Sequence, residues 1–257
     1  DVDHDAGDDG AHVHLDGLYA RDYGSGESGG GIINVNGGSG VQITRFFHEG
    51  RTFGYSSYTP GFINACASSN LLVKNCFCTR GFRGPHFWSC AGLRVENNVF
   101  FINQIGMMFM LGKPEDVFSF DRNIFVDNII GKSGQPLLLI SDPAQMLPGT
   151  NCFYLRNPEK ERGLIRAGGR EAVSWDEFKK LTGNPSEIIF ANPRLPALKE
   201  LVTYSGSDEW KKAIASKAKE LAAEHAPGKA WDFSEFFTAN EELVKRGIGI
   251  QQEMFRD

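Results

Sequence analysis

Basic, aromatic and imidazole side chains crowd into three glycine-rich stretches of this sequence: "RDYGSGESGGG" from Arg21, "HEGRTFGYSSYTPG" from His48 and "CTRGFRGPHFWSC" from Cys78. Together they hold Asp22, Tyr23, His48, Glu49, Arg51, Tyr55, Tyr58, Arg80, Arg83, His86 and Trp88. Arginine grips carboxylate or sulfate in a two-pronged fork, aromatic rings stack on sugar faces, and His or Tyr moves protons near neutral pH. The set reads as a groove for an acidic glycan. In β-elimination of a uronide, a base removes the proton α to the carboxylate while a cation steadies the developing charge. His48, Arg80, His86 and Tyr55 are the catalytic candidates for that reaction, and Arg51, Arg83, Tyr58, Trp88 and Tyr23 the substrate-binding ones. Asp22 and Glu49 form a competing pair, because two carboxylates flanking a glycosidic oxygen suffice for hydrolysis. The plain structural alternative is that these arginines pair and stack on the surface for stability alone.

A second cluster opens the chain. The run "DVDHDAGDDGAHVHLD" sets Asp3, Asp5, Asp8 and Asp9 close together, and carboxylate oxygens at such spacing suit Ca2+. Its glycine comes one place late for an EF-hand loop and no glutamate closes it, so a solvated acidic turn competes with a metal site. Ca2+ is thus the one candidate cofactor, and the proposed chemistry requires none. The run has no initiator Met, which reads as a mature or truncated chain.

For such clusters to act, some framework must bring them to one side. The chain has 257 residues, 41% of them hydrophobic, enough for a sizeable core. Its 30 glycines and 20 phenylalanines suit many short strands joined by turns. The net charge of -5 argues against a nucleic-acid binder. The longest apolar stretches, such as "IGMMFMLG", fall well short of the ~20 residues of a membrane span.

Internal repetition supplies the framework. Six segments align: "VHLDGLY" from Val13, "VQITRFF" from Val41, "LLVKNCF" from Leu71, "LRVENNVF" from Leu93, "FSFDRNIF" from Phe118 and "LPGTNCF" from Leu147. The alignment puts Gly17, Arg45, Asn75, Asn98, Asn123 and Asn151 in one column, with Tyr19, Phe47, Phe77, Phe100, Phe125 and Phe153 two places on. A repeat of this size is one coil of two or three short strands, each pairing in parallel with its counterpart about 4.8 Å away. Asparagine suits a left-handed corner and the phenylalanines a stacked interior. A further strand recurs in "GIINV", "GFINA", "HFW", "MMFM" and "PLLLI".

The expected fold is an all-β, right-handed parallel β-helix of about six coils over residues 1–157, followed by a closing strand and a helical C-terminal cap over 158–257. The "N-x-F" ladders and irregular coil lengths resemble the pectate-lyase-like superfamily of parallel β-helix proteins over residues 11–157. That resemblance implies polysaccharide lyases and hydrolases alike, with Ca2+ as a frequent partner of the uronate, and a polysaccharide substrate. The tail "VSWDEFKKLTGNPSEIIFANPRL" is similar to those that close bacterial carbohydrate-active β-helices. In it, Ser174 with Glu177 forms a capping box for a helix around Trp175 to Leu181. "SDEWKKAIASKAKELAAEHAPG" reads as a second helix, and both are expected over the last coil. At the other end nothing similar is visible, so missing N-terminal coils or a partner at an open end are expected.

Five cysteines leave at least one thiol unpaired. Cys66 precedes Asn75 by nine residues and Cys90 precedes Asn98 by eight, so the two are expected on adjacent coils and within disulfide reach. That bridge and a glycan substrate both point to a secreted or periplasmic protein. The rival of another class is a non-catalytic β-helix: an adhesin, scaffold or glycan-binding module.

Overall fold

The structure is a computed structural model, and it describes residues 13–21, 31–49, 61–79, 84–101, 107–110, 117–126, 138–154, 165–183, 187–190 and 234–251. Coil one holds β1 (His14–Asp16), β2 (Tyr19–Arg21) and β3 (Gly31–Asn36). Coil two holds β4 (Gln42–Thr44), β5 (Phe47–Glu49) and β6 (Gly61–Cys66), and coil three β7 (Leu72–Lys74), β8 (Phe77–Thr79) and β9 (His86–Trp88). Coil four holds β10 (Leu93–Glu96), β11 (Val99–Phe101) and β12 (Met107–Met110), and coil five β13 (Phe118–Asp121), β14 (Ile124–Val126) and β15 (Leu138–Ile140). Coil six ends the series with β16 (Met146–Pro148), β17 (Asn151–Tyr154) and β18 (Ile165–Ala167). Then come β19 (Arg170–Val173), α1 (Trp175–Thr182), β20 (Ile188–Phe190), α2 (Ser234–Ala239) and α3 (Glu241–Lys245).

Each coil gives one strand to each of three sheets. The first runs β1-β4-β7-β10-β13-β16, the second β2-β5-β8-β11-β14-β17-β20 and the third β3-β6-β9-β12-β15-β18-β19. Every pairing is parallel except the closing β18–β19 hairpin. The chain is a parallel β-solenoid of six coils, as the repeat implies.

Side-chain alternation divides each strand between a dry interior and an outer face. Ile43, Val73, Val95 and Phe120 stack inward from the first sheet, and Ala65, Phe87, Phe109 and Ile140 from the third, all at most 2% exposed. The second sheet contributes His48, Cys78, Phe100, Phe125 and Phe153 in one inward column.

That column corrects the aligned one. Phe100 pairs with Cys78, while Phe77 pairs with Val99, so the phenylalanine stack covers coils four to six and slips by one residue below them. The asparagines slip in the same way. Asn98, Asn123 and Asn151 form a buried ladder. The Asn98 N–H donates to Asn123 Oδ1 at 3.0 Å, and the Asn123 N–H to Asn151 Oδ1 at 3.0 Å. Cys76, not Asn75, precedes them in the column, its N–H donating to Asn98 Oδ1 at 2.8 Å. Asn75 belongs to the corner one residue earlier, with Arg45, Asn97 and Arg122, all left-handed with φ between 50° and 58°. The corner therefore needs the left-handed conformation, and the ladder next to it needs the amide.

The disulfide expectation also falls to the register. Cys66 pairs with Trp88, and Cys90, one place before the bridge between Ser69 and Ala91, falls against Ser68; all five cysteines are free thiols. Cys90 Sγ instead donates to the Ala65 carbonyl at 3.5 Å inside the wall.

One helix closes the coil stack and a helical pair covers its flank. α1 starts where expected, with Ser174 Oγ accepting from the Glu177 N–H at 3.2 Å, but the Glu177 carboxylate pairs with Arg170 instead of closing the capping box, and the helix drops Phe178 into the end of the core. The helix read in "SDEWKKAIASKAKELAAEHAPG" lies outside the described residues. α2 and α3 do not sit over the last coil. They lie on the flank, where Leu243, Ile248 and Ile250 cover Phe77, Val99, Ile124 and Cys152 on the outer face of the second sheet. Among the described residues no helix is long and apolar enough to cross a membrane.

Candidate functional site

The segments with the chemically rich residues all connect the second sheet to the third. Residues 22–30 join β2 to β3, residues 50–60 join β5 to β6, and residues 80–85 join β8 to β9. Their anchor points are in register: Arg21, Glu49 and Thr79 end successive strands, and Gly31 and Gly61 begin them. The three connections thus leave and rejoin the framework on one edge, about 4.8 Å apart. Asp22, Tyr23, Arg51, Tyr55, Tyr58, Arg80 and Arg83 themselves lie outside the described residues. So do Asp3, Asp5, Asp8 and Asp9 and the side chain of Glu49.

His86 and Trp88 are described, and both stand on the outer face of the third sheet. Register places Asn34, Asn64, His86 and Met108 in one outward column and Asn36, Cys66, Trp88 and Met110 in the next. Trp88 is 45% exposed, whereas His86 is 7% exposed beside it, the two rings 6.2 Å apart and tilted. Asn64 Nδ2 donates to Asn34 Oδ1 at 3.4 Å. A flat face carrying an open indole, an imidazole and a row of planar amides can stack on a sugar ring and hydrogen-bond its hydroxyls. The amide row was missed in the sequence. Its signal was the period of two shared by "GIINVN" and "GFINAC", which sends Asn34 and Asn64 outward.

His48 is not part of that face. It points into the core at 1% exposure, stacked on Phe62 with ring centroids 5.9 Å apart, and its Nδ1 lies 3.5 Å from Cys78 Sγ. Burial pushes its pKa down to about 4, so the ring is neutral at physiological pH. An outward groove role for His48 is corrected by this placement: strand alternation separates it from Glu49, its neighbour in β5.

A second polar constellation lies on the outer face of the first sheet. Thr44 Oγ1 donates to Asp16 Oδ1 at 2.5 Å and lies 2.8 Å from His14 Nε2. Arg45 Nε donates to the same carboxylate at 2.8 Å, and a second guanidinium nitrogen of Arg45 pairs with Asp16 Oδ2. Those bonds hold the Asp16 carboxyl far below the usual carboxylate range, with Arg45 the largest cause. Both oxygens of Asp16 are engaged within the coils, which suits a clamp between coils one and two better than a reacting group. Further along the same face, Glu96 lies 3.8 Å from Lys74 and from Arg94, and 4.0 Å from Arg122. Among the described residues no group of three or more His, Cys, Asp or Glu could hold a metal ion.

Compared with protein-family models, curated proteins and solved structures, the chain matches none.

Proposed function

We propose that this parallel β-helix acts on an acidic polysaccharide, bound over the outer face of the third sheet beside the connections from the second sheet. The observation that carries the reading is Trp88, a large exposed aromatic next to His86, on the strand that directly follows the segment holding Arg80 and Arg83. Cleavage is by β-elimination. A base, for which His86 now takes the place of His48, removes the proton on the carbon α to the carboxylate. The electron pair becomes a carbon–carbon double bond as the bond to the glycosidic oxygen at the β carbon breaks. That oxygen leaves with a proton from an acid such as Tyr55. Arg51, Arg80 and Arg83 neutralise the carboxylate and the charge that builds on it, and Ca2+ bound by Asp3, Asp5, Asp8 and Asp9 would serve the same end. Such a substrate places the protein in the periplasm or outside the cell.

A non-catalytic glycan-binding scaffold is favoured by a different observation, that Asp16 with Arg45 and Glu96 with Lys74 and Arg122, ionisable groups described on the first sheet, are taken up in pairs between coils. Incubation of the full chain with a panel of uronic-acid and sulfated oligosaccharides separates these readings. β-Elimination yields ultraviolet-absorbing unsaturated ends, hydrolysis by Asp22 and Glu49 yields new reducing ends without them, and a scaffold binds without either. Trp88→Ala is expected to weaken binding about fivefold or more while leaving the unfolding temperature unchanged. Undiminished affinity in that variant removes the third sheet from the site.

A further inference from the structure

The outer face of the second sheet is apolar in coils three to six, and what covers it has the features of a bound peptide. Phe77, Val99, Ile124 and Cys152 point away from the coil interior, yet each is at most 3% exposed. Ile248 and Ile250, both 0% exposed, pack onto them. Gly249 between them has φ of 78° and Gly247 before them 70°, a left-handed backbone that other residues adopt at a cost; at Gly247 it also ends α3, the Gly247 N–H donating to the Val244 carbonyl at 2.8 Å and the Ile248 N–H to the Leu243 carbonyl at 2.9 Å. The groove also reads the main chain. Asn97 Nδ2 donates to the carbonyls of Gly247 and Gly249, the latter at 3.1 Å, the Gly249 N–H donates to the Arg122 carbonyl at 2.6 Å, and the Gln251 N–H to Asn75 Oδ1 at 3.3 Å. The other amide atom of the Asn75 side chain, Nδ2, is buried here without a partner among the described residues.

Apolar anchors in pockets combined with main-chain hydrogen bonds to fixed groups are how grooves recognise peptides. We infer that the second sheet carries a peptide-binding groove selective for segments alternating glycine with a branched aliphatic residue, and that its resident occupant, Gly247–Gln251, is a detachable strap. The corner asparagines set the specificity. They are free to do so because the left-handed corner turns their amides toward the outer flank, whereas the ladder asparagines beside them are spent inside.

The test uses the full chain and a fluorescent peptide of residues 243–251. A strap-released variant, Ile248→Asp with Ile250→Asp, is expected to bind the peptide saturably, and the same variant carrying Asn97→Ala at least tenfold more weakly. A peptide with Gly249→Ala is expected to lose at least tenfold. No saturable binding to a strap-released chain that keeps its β-sheet circular dichroism overturns the inference, as does equal binding of the two peptides. Hydrogen exchange of the unaltered chain tests the same point without any substitution. The Gly249 N–H is expected to exchange at least tenfold faster than the Val99 N–H, which bonds Cys76 across the coils; equal rates mean that the strap does not detach, and sink the proposal.

Discussion

His48 occupies the place where coils four to six carry phenylalanine, and that position makes it a liability in acid. Its folded pKa of about 4 lies below the 6.5 of an unburied imidazole, so between those values the unfolded chain binds the extra proton. Stability is therefore complete above pH 6.5 and falls as pH drops toward 4, by on the order of 3 kcal/mol in total. His48→Phe is expected to remove this slope, read as urea midpoints that no longer fall between pH 6.5 and 4. Asp16 behaves in the opposite sense. Its carboxyl is held below the ordinary 3.8, so the clamp with Arg45 is fully present above that pH and lost only as pH falls through the depressed value. Asp16→Asn is expected to cost about 1 kcal/mol at neutral pH, with the deficit closing only in strong acid. Residue chemistry was visible in the sequence, but its direction was not: whether His48 faces solvent or core depends on a single step of register.

The same step decides the ladder elements. "N-x-F" occurs at Asn75 and again at Asn98, and both look like one motif until the backbone is seen. Coil four has two consecutive asparagines, Asn97 at the left-handed corner and Asn98 in the ladder, and no composition rule tells which of them matches Asn75. Coils of two or three short strands, the recurring third-sheet strands and the helix start at Ser174 were legible because periodicity and capping act locally. The register across a corner was not, because it is set by which side chain can reach the next coil. Asn123→Ala should make the distinction measurable. It strips partners from the Asn98 N–H, from Asn98 Nδ2 and from the Val95 carbonyl, all buried, and is expected to cost at least about 3 kcal/mol in denaturant unfolding. Asn75→Gly keeps the left-handed corner and removes one bond at the surface of the strap, so it is expected to cost about 1 kcal/mol.

At the scale of the whole molecule, a stack of coils has stability that is mostly local, each coil resting on its neighbours. α1 and the C-terminal strap alter this in different ways. Phe178 seals one end of the core at 0% exposure, and Phe178→Ala is expected to cost about 3–5 kcal/mol, with faster hydrogen exchange appearing first in β16 and β18. The strap was invisible in the sequence because "GIGIQ" is too short for periodicity and its partners lie about 150 residues away. It also has a consequence for how such a chain can lengthen. Solenoids grow by duplicating coils, and one more coil shifts everything beyond it by about 4.8 Å. Gln251 meets Asn75 in coil three while Gly249 meets Arg122 in coil five. A duplication between those coils would carry one contact out of reach of the other, whereas one between coils one and two would leave both in place. The short tail therefore acts as a gauge, fixing the number of turns in the block that it spans and leaving the rest of the rod at liberty to vary.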